Sequence, residues 1–450
     1  PVFVSASLLF PFITGKNFTF RIIIELIFAF WATLAIVRPE YRPRLTLLFK
    51  AATVFIAIVF LADLFSPNVN RSFFSNYERM EGFMMLGHLY LYFVMLISVF
   101  KTRRDWLIFF HITLATSALV AFIAFLQRYC ADAAHLASCS GWESFFKSLP
   151  ILKSAPLVSI QGGFRVDGTI GNPTYLAAYL LYHVWLAFLL IYQFWKKKWA
   201  VALYGAILLF ELMIIYFSAT RGVVLALLAT LIPFAASVVL FWNKIFPGGI
   251  AAKGAGRTRG RKIALGALLF VVIIPLFLWF IRKSDFVQSR PALERLTNYS
   301  LNEGTIRARF MVWGMSLKGA MDRPILGWGQ ENYYLVFQKY YNSQLYGEEP
   351  WFDRSHNIIF DWLVHTGFLG LSSYLAMLGI AVGGLVAGVR KNALPVWHGL
   401  VLVGLFVSSF LQNIFVFDNL NTYLLFFGFL AYSEFLFYGK AHAGNEGSEK

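Results

Sequence analysis

Charge is scarce in this sequence. Only 14% of its 450 residues are Asp, Glu, Lys or Arg, where a soluble domain carries roughly 25%. So little polar surface cannot cover a water-facing globule of this size, which excludes an ordinary soluble enzyme and a disordered chain. Cysteine is scarcer, at two residues, too few for a disulfide-dense secreted module. The G-x-x-x-x-G-K-[ST] phosphate loop is missing, which argues against an internal ATPase. H-E-x-x-H and G-x-S-x-G are missing too, and with them the common metalloprotease and serine-hydrolase signatures. No Asp-x-Asp pair suggests a divalent metal holding a nucleotide diphosphate.

What the chain has is apolar length: 58% hydrophobic residues, 18% aromatic, mean hydropathy +0.64. A helix needs about 20 mainly apolar residues to cross a bilayer. Stretches meeting this run approximately 18–37, 45–64, 83–100, 106–127, 173–195, 199–217, 222–242, 263–281, 366–389, 396–416 and 419–438. Residues 1–14 are apolar but short; lacking a basic leader and a small-residue cleavage site, they read as the tail of a first helix. The expected fold is all-α, a polytopic membrane protein of about 12 transmembrane helices with a large, partly helical outer loop.

The net charge of +16 acquires meaning only when sorted by side. Alternate connections hold Arg38/Arg42/Arg44, Lys101/Arg103/Arg104, Lys196/Lys197/Lys198, six Lys/Arg from Lys244 through Lys262, and Arg390/Lys391. The positive-inside rule assigns these to the cytoplasm, which puts both termini inside and the loops 65–82, 128–172 and 282–365 outside. By this division residues 1–281 hold the earlier helices, 282–365 is the large periplasmic loop, 366–438 holds the last three helices, and 439–450 is a flexible cytoplasmic tail. The stretch 251–262 resembles a nucleic-acid tail, but beside a span it fits anionic headgroups and topology better; no nucleic-acid partner is expected. The 282–356 stretch is nearly balanced, with ten Lys/Arg against eight Asp/Glu.

Cys130 and Cys139 share the second outer loop. An oxidising compartment permits a disulfide between them; the alternative is two unpaired thiols. Only His135 stands near, so no zinc or other metal site is expected.

The informative residues lie on the outer side. Arg165 precedes a Gly-Asn-Pro turn, where Asn172 reads as a helix N-cap and Pro173 as the first helical residue. Ser218-Ala219-Thr220-Arg221-Gly222 joins two spans so tightly that Arg221 stays at the membrane boundary, either snorkelling to headgroups or serving a site. In the long loop, Thr305 to Trp313 reads as a helix carrying Arg307 and Arg309, and Asp322 to Gly329 ends it in a turn. His356 follows Ser355 at a helix start, facing the outer mouth. Four arginines (165, 221, 307 and 309) on one face are costly unless they share an anion, and phosphate oxygens accept the bidentate fork that arginine supplies. Within the spans, Arg21 and Glu25 form an i,i+4 pair, while Asp63, His88, His183 and Glu211 align along no evident pathway.

Four stretches together resemble the O-antigen ligase and O-antigen polymerase superfamily of bacterial polytopic membrane glycosyltransferases, with the ligase branch favoured. They are G-x-x-G-N-P (168–173), S-A-T-R-G (218–222), R-x-x-x-W with a following P-I-L-G-W-G (309–329), and S-H-N…G-F-L-G-L (355–371). The resemblance implies a bacterial inner-membrane enzyme that needs no cofactor and transfers a glycan from a polyprenyl-pyrophosphate carrier to an acceptor on the periplasmic face. The acceptor is the lipid A core in ligases, another carrier-linked repeat in polymerases, and a protein hydroxyl in a related branch. Carried over by motif, Arg221 and Arg309 contact the donor pyrophosphate, with Arg165 as a third contact and Arg307 as a neighbour. His356 is the base or orienter for the acceptor hydroxyl. A lipid-linked glycan transporter and a structural envelope partner are the readings from other classes; no internal repeat of the kind common in transporters is evident.

Overall fold

The computed structural model describes residues 1–5, 7–130, 136–148, 164–246, 255–298 and 304–438. The expected tail 439–450, parts of the 128–172 loop (131–135 and 149–163) and the start of the basic 251–262 stretch lie outside these residues. The described chain is helical throughout its regular structure. Its helices are α1 (Thr14–Val37), α2 (Leu47–Leu64), α3 (Val69–Phe74), α4 (Phe83–Val99), α5 (Arg103–Cys130), α6 (Leu136–Ser148), α7 (Pro173–Gln193), α8 (Lys198–Ser218) and α9 (Arg221–Leu240). They continue with α10 (Trp242–Ile245), α11 (Ala255–Phe280), α12 (Asp285–Gln288), α13 (Pro291–Thr297), α14 (Gly304–Asp322), α15 (Tyr333–Lys339), α16 (Ile358–Arg390), α17 (Val396–Gln412) and α18 (Leu420–Tyr438). Among the described residues nine helices are long and apolar enough to cross a membrane, and α4 and α17 are shorter apolar helices. Each of the eleven apolar stretches in the sequence corresponds to one of these. Residues 7–13 form turns and bends, so the apolar stretch directly before Thr14 is not helical.

Hydrophobic surface all round a helix is what a central position requires, and α7 shows it. Its residues are buried without a break from Leu176 through Ala187, whereas the window of α11 is nowhere buried in the protein. Several polar groups on α7 are met by neighbouring helices. The Trp185 Nε1 donates to Ser408 Oγ at 2.8 Å, Tyr182 Oη meets Ser409 Oγ, and the Trp397 Nε1 donates to Phe188 O at 2.9 Å. Ionisable residues in the spans also find partners across the bundle. Glu25 meets His88 Nε2 at 3.0 Å while Arg21 donates to Met80 O, so the expected Arg21–Glu25 pair is replaced by longer-range contacts. Glu211 accepts from Ser117 Oγ, and Asp63 accepts from the backbone N–H of Gln330.

One feature of α16 was not visible in hydropathy. Gly367 adopts φ 64°, ψ −166° and breaks the helix into a short segment and a long one. The turn 324–329 fills the break: Phe368 N donates to Pro324 O at 2.7 Å, Trp328 N to Val364 O at 2.8 Å and Gly329 N to His365 O at 2.8 Å. The P-I-L-G-W-G and G-F-L-G-L stretches are therefore two halves of one backbone interlock. A Cβ on Gly367 would stand 2.3 Å from Ile325 O, in a positive-φ extended region that is essentially confined to glycine and costs another residue about 1–3 kcal/mol before the clash is counted. Gly367→Ala is expected to lower the unfolding temperature in detergent by several degrees; an unchanged temperature would contradict this role.

Candidate functional site

The helix ends beside loops 65–82 and 282–357 carry two groups of charged side chains. The first gathers at the α8–α9 hairpin. Here α8 stops at Ser218, Ala219 takes a left-handed conformation (φ 47°, ψ 41°), and Arg221 is already the first residue of α9. Arg221 donates from Nε to Arg295 O at 2.5 Å and from Nη2 to Asn298 O at 2.9 Å, while Arg295 Nε donates back to Ala219 O at 3.2 Å. Arg165 joins them, donating from Nε to Ser218 O at 2.8 Å and from Nη2 to Thr174 Oγ1 and Thr220 Oγ1, both at 3.4 Å. Burial, with the nearby charges of Arg295 and Arg221, lowers the Arg165 guanidinium to about 10. An open pocket of about 260 Å³ adjoins the group, lined by Phe164, Arg221, Pro291, Glu294, Arg295 and Asn298.

The second group surrounds His356. This residue sits at φ 53°, immediately before Asn357, whose side chain caps α16 by accepting from Ile359 N and Phe360 N. The expected helix start is thus one residue later, and His356 occupies the turn. Its ring lies edge-on to Phe352 and Phe417, with centroids 5.5 and 5.1 Å away. Burial, then the charge of Arg309 and those of Arg79 and Arg354, lowers its pKa to about 3, against an opposing pull from Asp353. His356 is therefore neutral at physiological pH, and Arg309 on α14 exerts the largest charge effect on it.

Behind His356 lies a network of buried ions. Arg79 grips Asp353 through both carboxylate oxygens and donates to Tyr175 Oη at 3.3 Å. Arg354 pairs with Glu81 at 2.8 Å and with Glu331. The Phe417 ring lies under both guanidinium groups, 4.5 Å from Arg79 and 4.8 Å from Arg354, a favourable arrangement for delocalised cations. Burial pushes the Asp353 carboxyl up, but Arg79 and Arg354 hold it below its ordinary value. Burial wins at Glu81, pushed up to about 7 despite Arg354 and Arg79.

The first turn of α7 lies between the two groups. Asn172 caps it, accepting from Thr174 N, and Pro173 is its first residue. Pro173 O accepts from Thr220 Oγ1, Thr174 Oγ1 from Arg165, and Tyr175 Oη from Arg79. The Gly-Asn-Pro motif thus ties the arginine group to the network behind His356.

Of the residues picked from the sequence, the structure places Arg165 with Arg221 and Arg309 with His356. Arg307 stands apart, exposed and ion-paired with Glu348. Cys130 and Cys139 are joined by a disulfide that ties the end of α5 to α6. Among the described residues no three His, Cys, Asp or Glu side chains converge to hold a metal ion. Sequence reasoning missed Arg295, Arg79, Glu81, Glu331, Asp353 and Arg354. The alternating charges in 78–81 and the adjacent Asp353-Arg354 were signals, but each resembles a solvated loop until its distant partner is known.

These features define an all-helical polytopic membrane protein with an arginine-rich site at one end of its bundle. Residues 205–375 match the family model described as O-antigen ligase. The match is consistent with the O-antigen ligase and polymerase superfamily and supports membrane glycan transfer of that general type. The matched stretch contains Arg221, Arg295, Arg309 and His356 but not Arg165, Arg79 or Glu81. No curated protein matches the chain.

Proposed function

We propose that the protein transfers a glycan from a polyprenyl-pyrophosphate carrier to an acceptor hydroxyl on the periplasmic face of the inner membrane, acting as an O-antigen ligase on the lipid A core. In this reading the basic ends of the helices, and both termini, face the cytoplasm. The observation that carries the proposal is the clustering of Arg165 with Arg221 and Arg295, the latter two lining an open pocket, in a chain whose 205–375 stretch matches the O-antigen ligase family model. Cationic forks at a membrane boundary suit a pyrophosphate, and fixed positive groups aimed at a departing anion are the largest expected contribution to catalysis.

The acceptor oxygen attacks the anomeric carbon, the glycosidic bond to pyrophosphate breaks, and the arginines receive the leaving charge. A single displacement inverts the anomeric centre. Neutral His356 accepts a hydrogen bond from the acceptor hydroxyl and orients it. Because arginine charges contribute to its low basicity, an anionic donor against Arg309 offsets part of that effect and makes His356 a better proton acceptor when substrate is bound. No metal enters this scheme. Polymerisation of carrier-linked repeats is the reading that differs only in acceptor. Purified protein in vesicles is expected to release polyprenyl pyrophosphate only when lipid A core is supplied; release with donor alone would establish a polymerase instead.

A further inference from the structure

The proposed role of His356 leaves open how a non-glycine residue is held in a left-handed conformation, which is disfavoured unless neighbouring contacts over-determine it. The contacts are present on both sides of it. Ser355 is fully buried and all its polar groups are engaged. Its N–H donates to Asp361 Oδ1 at 2.8 Å, its hydroxyl donates to the same oxygen, and its carbonyl accepts from Trp313 Nε1 at 3.0 Å. On the other side, Asn357 O accepts from Asp361 N at 2.8 Å and Ile358 N donates to Asn413 O at 2.8 Å.

Trp313 also belongs to α14, one turn beyond Arg309, and residues four apart share a helix face. Its ring stacks on Phe360, 5.9 Å between centroids. The same tryptophan therefore docks the arginine-bearing helix and fastens the backbone beside His356. We propose that Trp313 and Asp361 are positioning residues that lock the Ser355–His356 turn and set the imidazole against Arg309. This assigns the tryptophan of R-x-x-x-W a hydrogen-bonding duty toward the acceptor side of the reaction. The inference rests on the glycan-transfer reading above.

Trp313→Phe tests it, since phenylalanine keeps an aromatic ring to face Phe360 and removes the donor. Misplacing a reacting group by about 1 Å costs up to about 100-fold. Trp313→Phe and Asp361→Leu are each expected to lower kcat about 10- to 100-fold with the donor KM within about twofold of wild type. Asp361→Asn retains an oxygen acceptor for Ser355 and is expected to restore most of kcat. Normal kcat in Trp313→Phe, or a loss confined to donor KM, overturns the positioning role provided His356→Ala is inactive. Normal turnover by His356→Ala overturns the assignment of His356 and the positioning role with it.

Discussion

Replacing Arg221 with lysine is expected to lower glycan transfer by about 100-fold or more, although the charge is kept. Each charge-assisted hydrogen bond to a phosphate oxygen contributes roughly 1.5–3 kcal/mol, and lysine offers a single point charge in place of a planar fork. In the proposed reading Arg221 acts this way, held by the Ala219 turn that leaves no slack between α8 and α9. It also donates to the carbonyls of Arg295 and Asn298, so an effect through the docking of α13 must be separated from one on the donor. Transfer rate and unfolding temperature measured on the same preparation separate them. A loss of transfer at an unchanged unfolding temperature supports the donor role, whereas parallel losses assign Arg221 to α13. Arg307→Ala serves as the comparison. Its guanidinium is exposed and pairs with Glu348, an arrangement of little energetic value, and transfer is expected to stay near wild type.

The second large effect is on stability. Arg354→Met removes the cation that bridges Glu81 and Glu331 in the buried network and leaves both carboxylates without it. Breaking a buried pair in this way costs about 3–5 kcal/mol, enough to reduce the yield of folded protein sharply. Converting the carboxylates as well, in Arg354→Met/Glu81→Gln/Glu331→Gln, is expected to restore much of the loss, because neutral groups carry no charge to desolvate. Equal yields of the single and triple variants would contradict the account. The pH dependence has a definite sign. Since Glu81 is pushed up from 4.5 to about 7, the folded protein binds more protons than the unfolded chain between those values. Its contribution to stability therefore falls as pH rises through that window, and removal of Arg354, which lowers the Glu81 pKa, extends the fall to higher pH.

Hydropathy made the eleven apolar helices legible because crossing a bilayer imposes a length and composition that few other structures require. Local chemistry was equally readable: Asn172 and Pro173 open α7, and Ser218 to Arg221 turn as tightly as their spacing implies. Long-range pairing was not. Arg79 meets Asp353 across 274 residues, and Glu81 and Glu331 converge on Arg354 from separate loops, so neither loop reveals alone that its charges are buried. Arg295 was passed over because nothing near it in sequence marks it; its relevance comes from α13 folding onto the hairpin. The P-I-L-G-W-G stretch was recognised as a motif, yet its backbone bonds to the broken α16 give it a structural duty that motif recognition does not disclose.

The central claim is that this membrane protein moves a glycan off a lipid pyrophosphate using arginines at the α8–α9 hairpin and His356. Reconstitution in vesicles with a labelled polyprenyl-pyrophosphate glycan and lipid A core tests it most directly. Wild-type protein is expected to yield labelled lipid A core and free polyprenyl pyrophosphate, with Arg221→Ala and His356→Ala yielding neither at normal abundance. Intact labelled donor with wild-type protein, or normal product from both variants, would contradict the account.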